Sequence, residues 1–211
     1  MPGVRGGNGD GRVLRGRRNR EAVVGALLQL VEEGDIKPTA EAISERAGIS
    51  RRSVFQHFAD VESIYEAAST RTGELLLPFL VPVDQSLSRA ERIGHLMVLR
   101  RRLLDTVDPL ARSARLREPF SEQLTASRHR LSAKMRAQCR QAIGPELADL
   151  ELDDADELVD AVAGATSWSL YNHLCADLDL EADRAIAVMT RLVVGLLDAG
   201  QLPAREVVSL L

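Results

Sequence analysis

The 211-residue chain is poor in cysteine, poor in aromatic rings and without a long apolar run. Its two cysteines, Cys139 and Cys175, lie far apart and form no C-x-x-C or Cys/His ligand spacing. That excludes a disulfide scaffold, argues against a zinc fold and leaves no candidate metal site. No segment approaches the roughly 18 to 20 consecutive apolar residues that a membrane span requires, and the N-terminus is rich in glycine and arginine where a signal peptide needs an apolar stretch. A soluble, cytoplasmic protein without a membrane partner is expected. One Trp, two Tyr and four Phe are a thin supply for an aromatic cage around flat cationic compounds. Catalytic motifs are missing as well: there is no phosphate-cradling glycine loop, no G-x-S-x-G elbow and no H-E-x-x-H. The acidic pairs Asp153-Asp154 and Asp156-Glu157 are accounted for as complements to a helix dipole. The expectation is a protein that is not an enzyme and carries no cofactor.

What the chain does have is apolar content for one or two cores, with 45% hydrophobic residues, and an uneven charge. Its 27 basic and 31 acidic residues give a net charge of -4, which at first sight disfavours nucleic acid. The total conceals a gradient: residues 1–60 carry 10 basic and 8 acidic side chains, residues 61–140 carry 14 and 9, and residues 141–211 carry 3 and 14. Residues 1–20 hold Arg5, Arg12, Arg15, Arg17, Arg18 and Arg20 against a single acid, Asp10, interleaved with glycines. Residues 1–18 read as a flexible basic arm, either a nucleic-acid contact through residues such as Arg17 and Arg18 or a solvated terminus with no partner.

Helical periodicity follows the arm. Val23, Val24, Leu27, Leu28, Leu30 and Val31 recur at helical spacing over 20–33, and Gly34-Asp35 supplies the stop. Thr39 is a cap for a second short helix with Ala42, Ile43 and Ala47 on its inner face, ended by Gly48. Ser50 caps a third, 51–58, and Asp60 is the next cap candidate. Beyond it the pattern predicts helices over 61–77, 88–107 (closed by Asp108-Pro109), a short piece near 110–117, 120–143, 154–176 and 182–199, the last closed by Gly200 and Pro203. No strand alternation appears. The fold class is therefore all-α: an N-terminal three-helix, helix-turn-helix domain over 19–65 and a C-terminal helical domain over 66–211.

The stretch Thr39 to Phe58 carries the function. Two helices joined by a tight turn at Gly48-Ile49 form a helix-turn-helix, with Ile43 and Ala47 facing Val54 and Phe58. With Val54 and Phe58 inward, Arg52 with Gln56 and Ser53 with His57 form i, i+4 pairs on outward faces. These residue types hydrogen-bond base edges and phosphates. A polar, merely solvated face on an αα-hairpin has the same spacing. The arginines opening the helix, the absence of acid on it and the basic arm before it favour double-stranded DNA as the partner.

The helix over 20–33, the string T-x-x-x-I-x-x-x-A-G-I-S-R-R-S-V-F-Q-H-F and the following D-V-E-S-I-Y resemble the DNA-binding domain of the TetR (tetracycline-repressor-like) family of bacterial transcriptional regulators. The resemblance covers about 50 residues; residues 66–211 agree in length, helical character and order. It implies a homodimeric repressor whose C-terminal domain binds a small-molecule effector. It further implies that Arg51, Arg52, Ser53, Phe55, Gln56 and His57 lie near bases or backbone in the major groove, with Thr39 on a phosphate. The family often has tyrosine where this chain has Phe55 and lysine where it has Val61, so two phosphate contacts are lost. Arg51, Arg52 and the arm are expected to compensate. The alternative is a helical ligand-binding or scaffold protein with a degenerate DNA-binding motif.

In the C-terminal domain, Leu158, Val162, Ala165 and Ser169, with Met189, Val193 and Leu196, lie on stripes expected to form a four-helix interface between two chains, unless they are an ordinary core. Residues 89–140 hold 13 basic and 5 acidic side chains. The run Arg100-Arg101-Arg102 reads either as the rim of a pocket for an anionic ligand or, preferably, as a solvated face. His95, Arg101, Trp168 and Tyr171 are the candidate ligand contacts.

Overall fold

The computed structural model describes residues 10–199 of the chain; residues 1–9 of the arm and residues 200–211, with the expected breakers Gly200 and Pro203, lie outside the described residues. Every regular element among the described residues is helical, as the sequence predicts: α1 (Asp10–Glu32), α2 (Ala40–Ala47), α3 (Arg51–His57), α4 (Val61–Leu75), α5 (Arg89–Arg115), α6 (Glu122–Ala142), α7 (Gly144–Leu147), α8 (Leu152–Ala165), α9 (Trp168–Asn172) and α10 (Ala182–Ala199). The described residues form two units, one of residues 10–74 with 109–127, the other of residues 75–108 with 128–199.

The first unit is built on one apolar cluster. Val23, Leu27, Ile43, Val54, Phe58, Ile64 and Tyr65 form it together with Leu110 and Leu124, which come from the far end of α5 and the start of α6. Residues 109–127, expected within a C-terminal domain, therefore complete the core of the helix-turn-helix unit. Polar contacts reinforce them there. Ser113 Oγ donates to the Ile36 carbonyl at 2.8 Å and pairs with the Tyr65 hydroxyl at 2.5 Å. Arg117 donates to Glu62 at 2.7 Å and covers the Tyr65 ring at 4.7 Å.

Three elements differ from the periodicity. Helix α1 begins at Asp10, so much of the segment expected as a loose arm is helical. From residue 13 onward Gly16 is its only glycine before Gly25, and Leu14, the arginines, Glu21 and Ala22 are good helix formers. Helix α5 runs through Pro109. Pro109 lacks the amide that would bond the Asp105 carbonyl, but Val107 and Leu110, both buried, hold the chain on either side of it. The expected helix 154–176 is broken at Thr166-Ser167. There Thr166 Oγ1 bonds back to the Val162 carbonyl at 3.0 Å, and Ser167 caps a new start by accepting from the Leu170 amide at 3.2 Å. A π-helical turn over His173–Asp177 follows.

The start of α5 is a capping box: the Ser88 amide and hydroxyl donate to Glu91 Oε2 at 2.9 and 2.6 Å. The Ser88 donors hold the Glu91 carboxyl below its usual value. A carboxyl depressed in the folded state contributes stability above its unfolded pKa and loses it as the pH falls through the folded one. Glu91→Gln is therefore expected to flatten the decline of thermal stability on acidification, measured as Tm against pH; an unchanged acid limb would show that the box is inert.

Candidate functional site

Helices α2 and α3 are set by their caps. Thr39 Oγ1 accepts from the Ala42 amide at 3.2 Å and Ser50 Oγ from the Ser53 amide at 3.1 Å. Between them Gly48 adopts the left-handed conformation, φ 68°, and its amide closes α2 on the Glu45 and Ser44 carbonyls. A β-carbon at Gly48 would meet nothing within 4 Å, so it is the backbone angle rather than space that calls for glycine here. Ile43 and Val54 are fully buried and Phe58 nearly so, which fixes the rotation of α3 about its axis.

That rotation exposes Arg51, Arg52, Phe55 and Gln56, whereas Ser53 and His57 are half-buried. The outward face is thus turned by about one residue from the expected pairs: it is formed by Arg51 with Phe55 and Arg52 with Gln56. Ser53 is engaged inside the helix, its hydroxyl 2.9 Å from that of Ser50. Phe55, without a phenolic oxygen, serves instead as a platform: the Arg51 guanidinium lies 5.7 Å from its ring centroid. Thr39 is exposed at the start of α2, and its hydroxyl hydrogen is left over from the cap, which uses only the oxygen as acceptor.

The basic start of α1 is anchored to the same helix. Arg20 Nη1 donates to the His57 carbonyl at 2.9 Å and the guanidinium covers the Phe58 ring at 4.4 Å, so Arg20 satisfies the C-terminus of α3. A β-carbon at Gly16 would lie 3.6 Å from the His57 ring. Arg17 and Arg18 are exposed between these two contacts, Arg17 paired with Glu21 at 2.9 Å. In the sequence Arg20 is one of six arginines before residue 21, and the signal that sets it apart is its position one turn beyond Gly16 on a helical repeat.

In the second unit the expected ligand contacts are occupied or turned outward. His95 is exposed. Arg101 pairs with Asp105 at 2.7 Å and with Asp183. Trp168 Nε1 donates to Asp108 at 2.9 Å, and the Tyr171 hydroxyl donates to Asp105 at 3.2 Å. Burial first, and the Asp105 charge second, push the Tyr171 phenol up. These side chains tie α9 to α5. The arginine run is divided: Arg102 is exposed, Arg101 half-buried and Arg100 fully buried, so the preferred reading of a solvated face fails for Arg100.

The expected dimer stripe is also divided. Val162, Met189 and Val193 are fully buried and Ala165 nearly so, packed inside the unit where a second copy cannot touch them. Leu158 and Leu196 are half-buried and Ser169 exposed. Leu192 and Val194 stand exposed on α10, and neither Gly164 nor Gly195 has an atom within 4 Å of where a β-carbon would lie.

No protein-family model matches the chain, and no curated protein sequence matches it. Solved structures do. A TetR-family transcriptional regulator from Streptomyces coelicolor aligns with a TM-score of 0.65 at 16% identity, over 92% of this chain and 95% of that one. A transcriptional regulator from Rhodococcus sp. Rha1 aligns with a TM-score of 0.65 at 13% identity, over 89% and 99%. Full-length TylP, a TetR regulator from Streptomyces fradiae, is 25% identical over 93% and 91%, with a TM-score of 0.50. The chain has the all-α fold of TetR-family transcriptional regulators.

Proposed function

We propose that the chain is a sequence-specific DNA-binding transcriptional regulator of the TetR type, a homodimeric repressor relieved by a small-molecule effector. The observation that carries this reading is the exposed face of α3, with Arg51, Arg52 and Gln56 presented on a helix whose first turn contains no acid. Arg and Gln are the side chains that read guanine and adenine in the major groove, and an exposed Thr39 and the Arg17-Arg18 pair supply phosphate donors alongside. Among the described residues no helix is long and apolar enough to cross a membrane. Binding to DNA flanking the protein's own gene, titrated at two salt concentrations, tests the reading. A specific complex that weakens steeply with salt supports it; equally weak binding to every duplex overturns it in favour of a scaffold with a degenerate motif.

Two half-sites require two copies. The surface that fits is the outer side of α8 and α10, where Leu158, Gly164, Leu192 and Gly195 leave room for close helix approach. The effector shifts the dimer between a geometry that spans successive major grooves and one that does not. Gly195→Arg is expected to convert the dimer to monomer in sedimentation while keeping its helicity, since arginine is the better helix former by about 0.8–1 kcal/mol and a β-carbon at this position meets nothing within 4 Å among the described residues. A variant that sediments as the wild type does would remove this face from consideration.

A further inference from the structure

Among the described residues, the second unit buries a charge with no counter-charge. On α5, Leu96, Arg100, Leu103 and Leu104 share one helical face, and all four are fully buried. Arg100 Nη2 reaches Cys139 Sγ at 3.5 Å, a long contact to a weak acceptor. Its Nε and Nη1 have no hydrogen-bond partner. Beyond the sulfur, also at 3.5 Å, lies Thr166 Oγ1, likewise fully buried. Three elements, α5, α6 and the end of α8, thus bring a guanidinium, a thiol and a hydroxyl together inside the unit.

A guanidinium stays protonated in proteins, so it cannot escape its burial by losing a proton as a carboxyl escapes by gaining one. Taking it from water without a counter-ion is among the costliest things a core can do. The arginines of this unit that pair with an acid do not share theirs with Arg100. Arg89 takes Asp198; Arg92, the second buried arginine, takes Glu146; Arg101 takes Asp105 and Asp183; Arg136 and Arg140 take Asp160 and Asp156.

We propose that Arg100 anchors an anion site in the core of the C-terminal unit, and that its ligand is a monocarboxylate with an apolar body. One uncompensated positive charge calls for one negative charge. The two bare guanidinium nitrogens suit the oxygens of a carboxylate, Thr166 and Cys139 are the neighbouring polar atoms, and the leucines of α5 with Met135, one turn before Cys139, suit an aliphatic or aryl body. Access falls to the irregular wall beside Thr166. From the break at Thr166-Ser167 the chain passes through the five residues of α9 and a π-helical turn to Asp179 at φ 52°, so this wall changes its helical register within a dozen residues and is the part of the unit assigned to open. This site deepens the proposed function by giving the effector its chemical class, and it rests on that reading only for its consequence on DNA.

The full-length protein is titrated calorimetrically, without DNA, with octanoate, dodecanoate and benzoate, each against its primary amide. At least one carboxylate is expected to bind roughly tenfold or more tightly than its amide, with a change in the fluorescence of Trp168, two residues from Thr166 and the chain's single tryptophan. Arg100→Met is expected to bring that ratio to about one while leaving the Tm of the unliganded protein unchanged or raised. The proposal is overturned if no carboxylate is preferred over its amide, or if Arg100→Met keeps the preference. Should Arg100→Met not fold, the comparison of acid with amide in the wild-type protein decides alone. Because no DNA is present, carboxylate preference without operator binding would sink the regulator reading and keep the site; operator binding without carboxylate preference would do the reverse.

Discussion

The Arg52→Ala protein is expected to fold and dimerise as the wild type does and to lose about tenfold to a hundredfold in operator affinity for each half-site it contacts, equivalent to about 1–3 kcal/mol. The structure separates the two effects. Arg52 is exposed, while α3 is held by Val54, Phe58, the Ser50 cap and the Arg20 contact to the His57 carbonyl, none of which involves Arg52. In a dimer the loss counts twice. Competition against operators altered at single positions distinguishes the contacts that Arg52 makes: a base contact relaxes discrimination at one position, whereas a phosphate contact weakens all sequences alike and lowers the salt slope by about one. Unchanged affinity would show that the face presented by α3 is not the one that meets DNA.

A larger loss of stability is expected at Arg92. Its guanidinium donates to the carbonyls of Ala142 at 3.0 Å and Leu87 at 2.8 Å and pairs with Glu146, with side-chain exposures of 7% and 17% for the two ions. Glu146 Oε2 has no partner, so the carboxylate depends on this one arginine. Arg92→Met strands the Glu146 charge and two carbonyl acceptors, at an expected cost of about 3–5 kcal/mol and a fall in Tm on the order of 10 °C. Adding Glu146→Leu should recover most of that, because the expense lies in the unpaired ion. A loss under about 1 kcal/mol for Arg92→Met, or no recovery in the double variant, would count against the pair. The contrast with Arg100 is sharp: the same Arg→Met substitution is expected to damage the protein at 92 and to spare it at 100, since only at 92 does the arginine neutralise an acid.

The short-range features of the fold were legible because they are written in single residues. Thr39, Gly48 and Ser50 each mark a helix end that the backbone then uses, and Asp60 caps α4 by accepting from the Ser63 amide at 2.8 Å. Misreadings arose where tertiary packing outvoted a local signal. Pro109 reads as a stop, but buried neighbours carry α5 through it; Thr166 reads as helix, but its hydroxyl and the Ser167 cap end α8. On the outward face of α3 the pair Arg52 and Gln56 holds, but Ser53 and His57 give way to Arg51 and Phe55: with Val54 and Phe58 inward both pairs satisfy i, i+4 spacing, and the Ser50–Ser53 contact draws Ser53 inward. The burial of Arg100 could have been seen: it stands in phase with Leu96, Leu103 and Leu104, whereas Arg101 and Arg102 do not. A run of three like charges masked that phase, since such runs face water by default.

The helix-turn-helix unit is discontinuous in the chain, and this has a consequence for how the protein is made. Leu110 and Leu124 belong to the same core as Ile43 and Val54, so a polypeptide emerging from the ribosome cannot finish its helix-turn-helix unit until residues 75–108 have been synthesised and the chain has returned. The tether to be closed costs entropy that a contiguous three-helix domain would not face. A gene fragment ending at residue 74 would encode every side chain proposed to touch DNA and still lack part of the core that holds them in place.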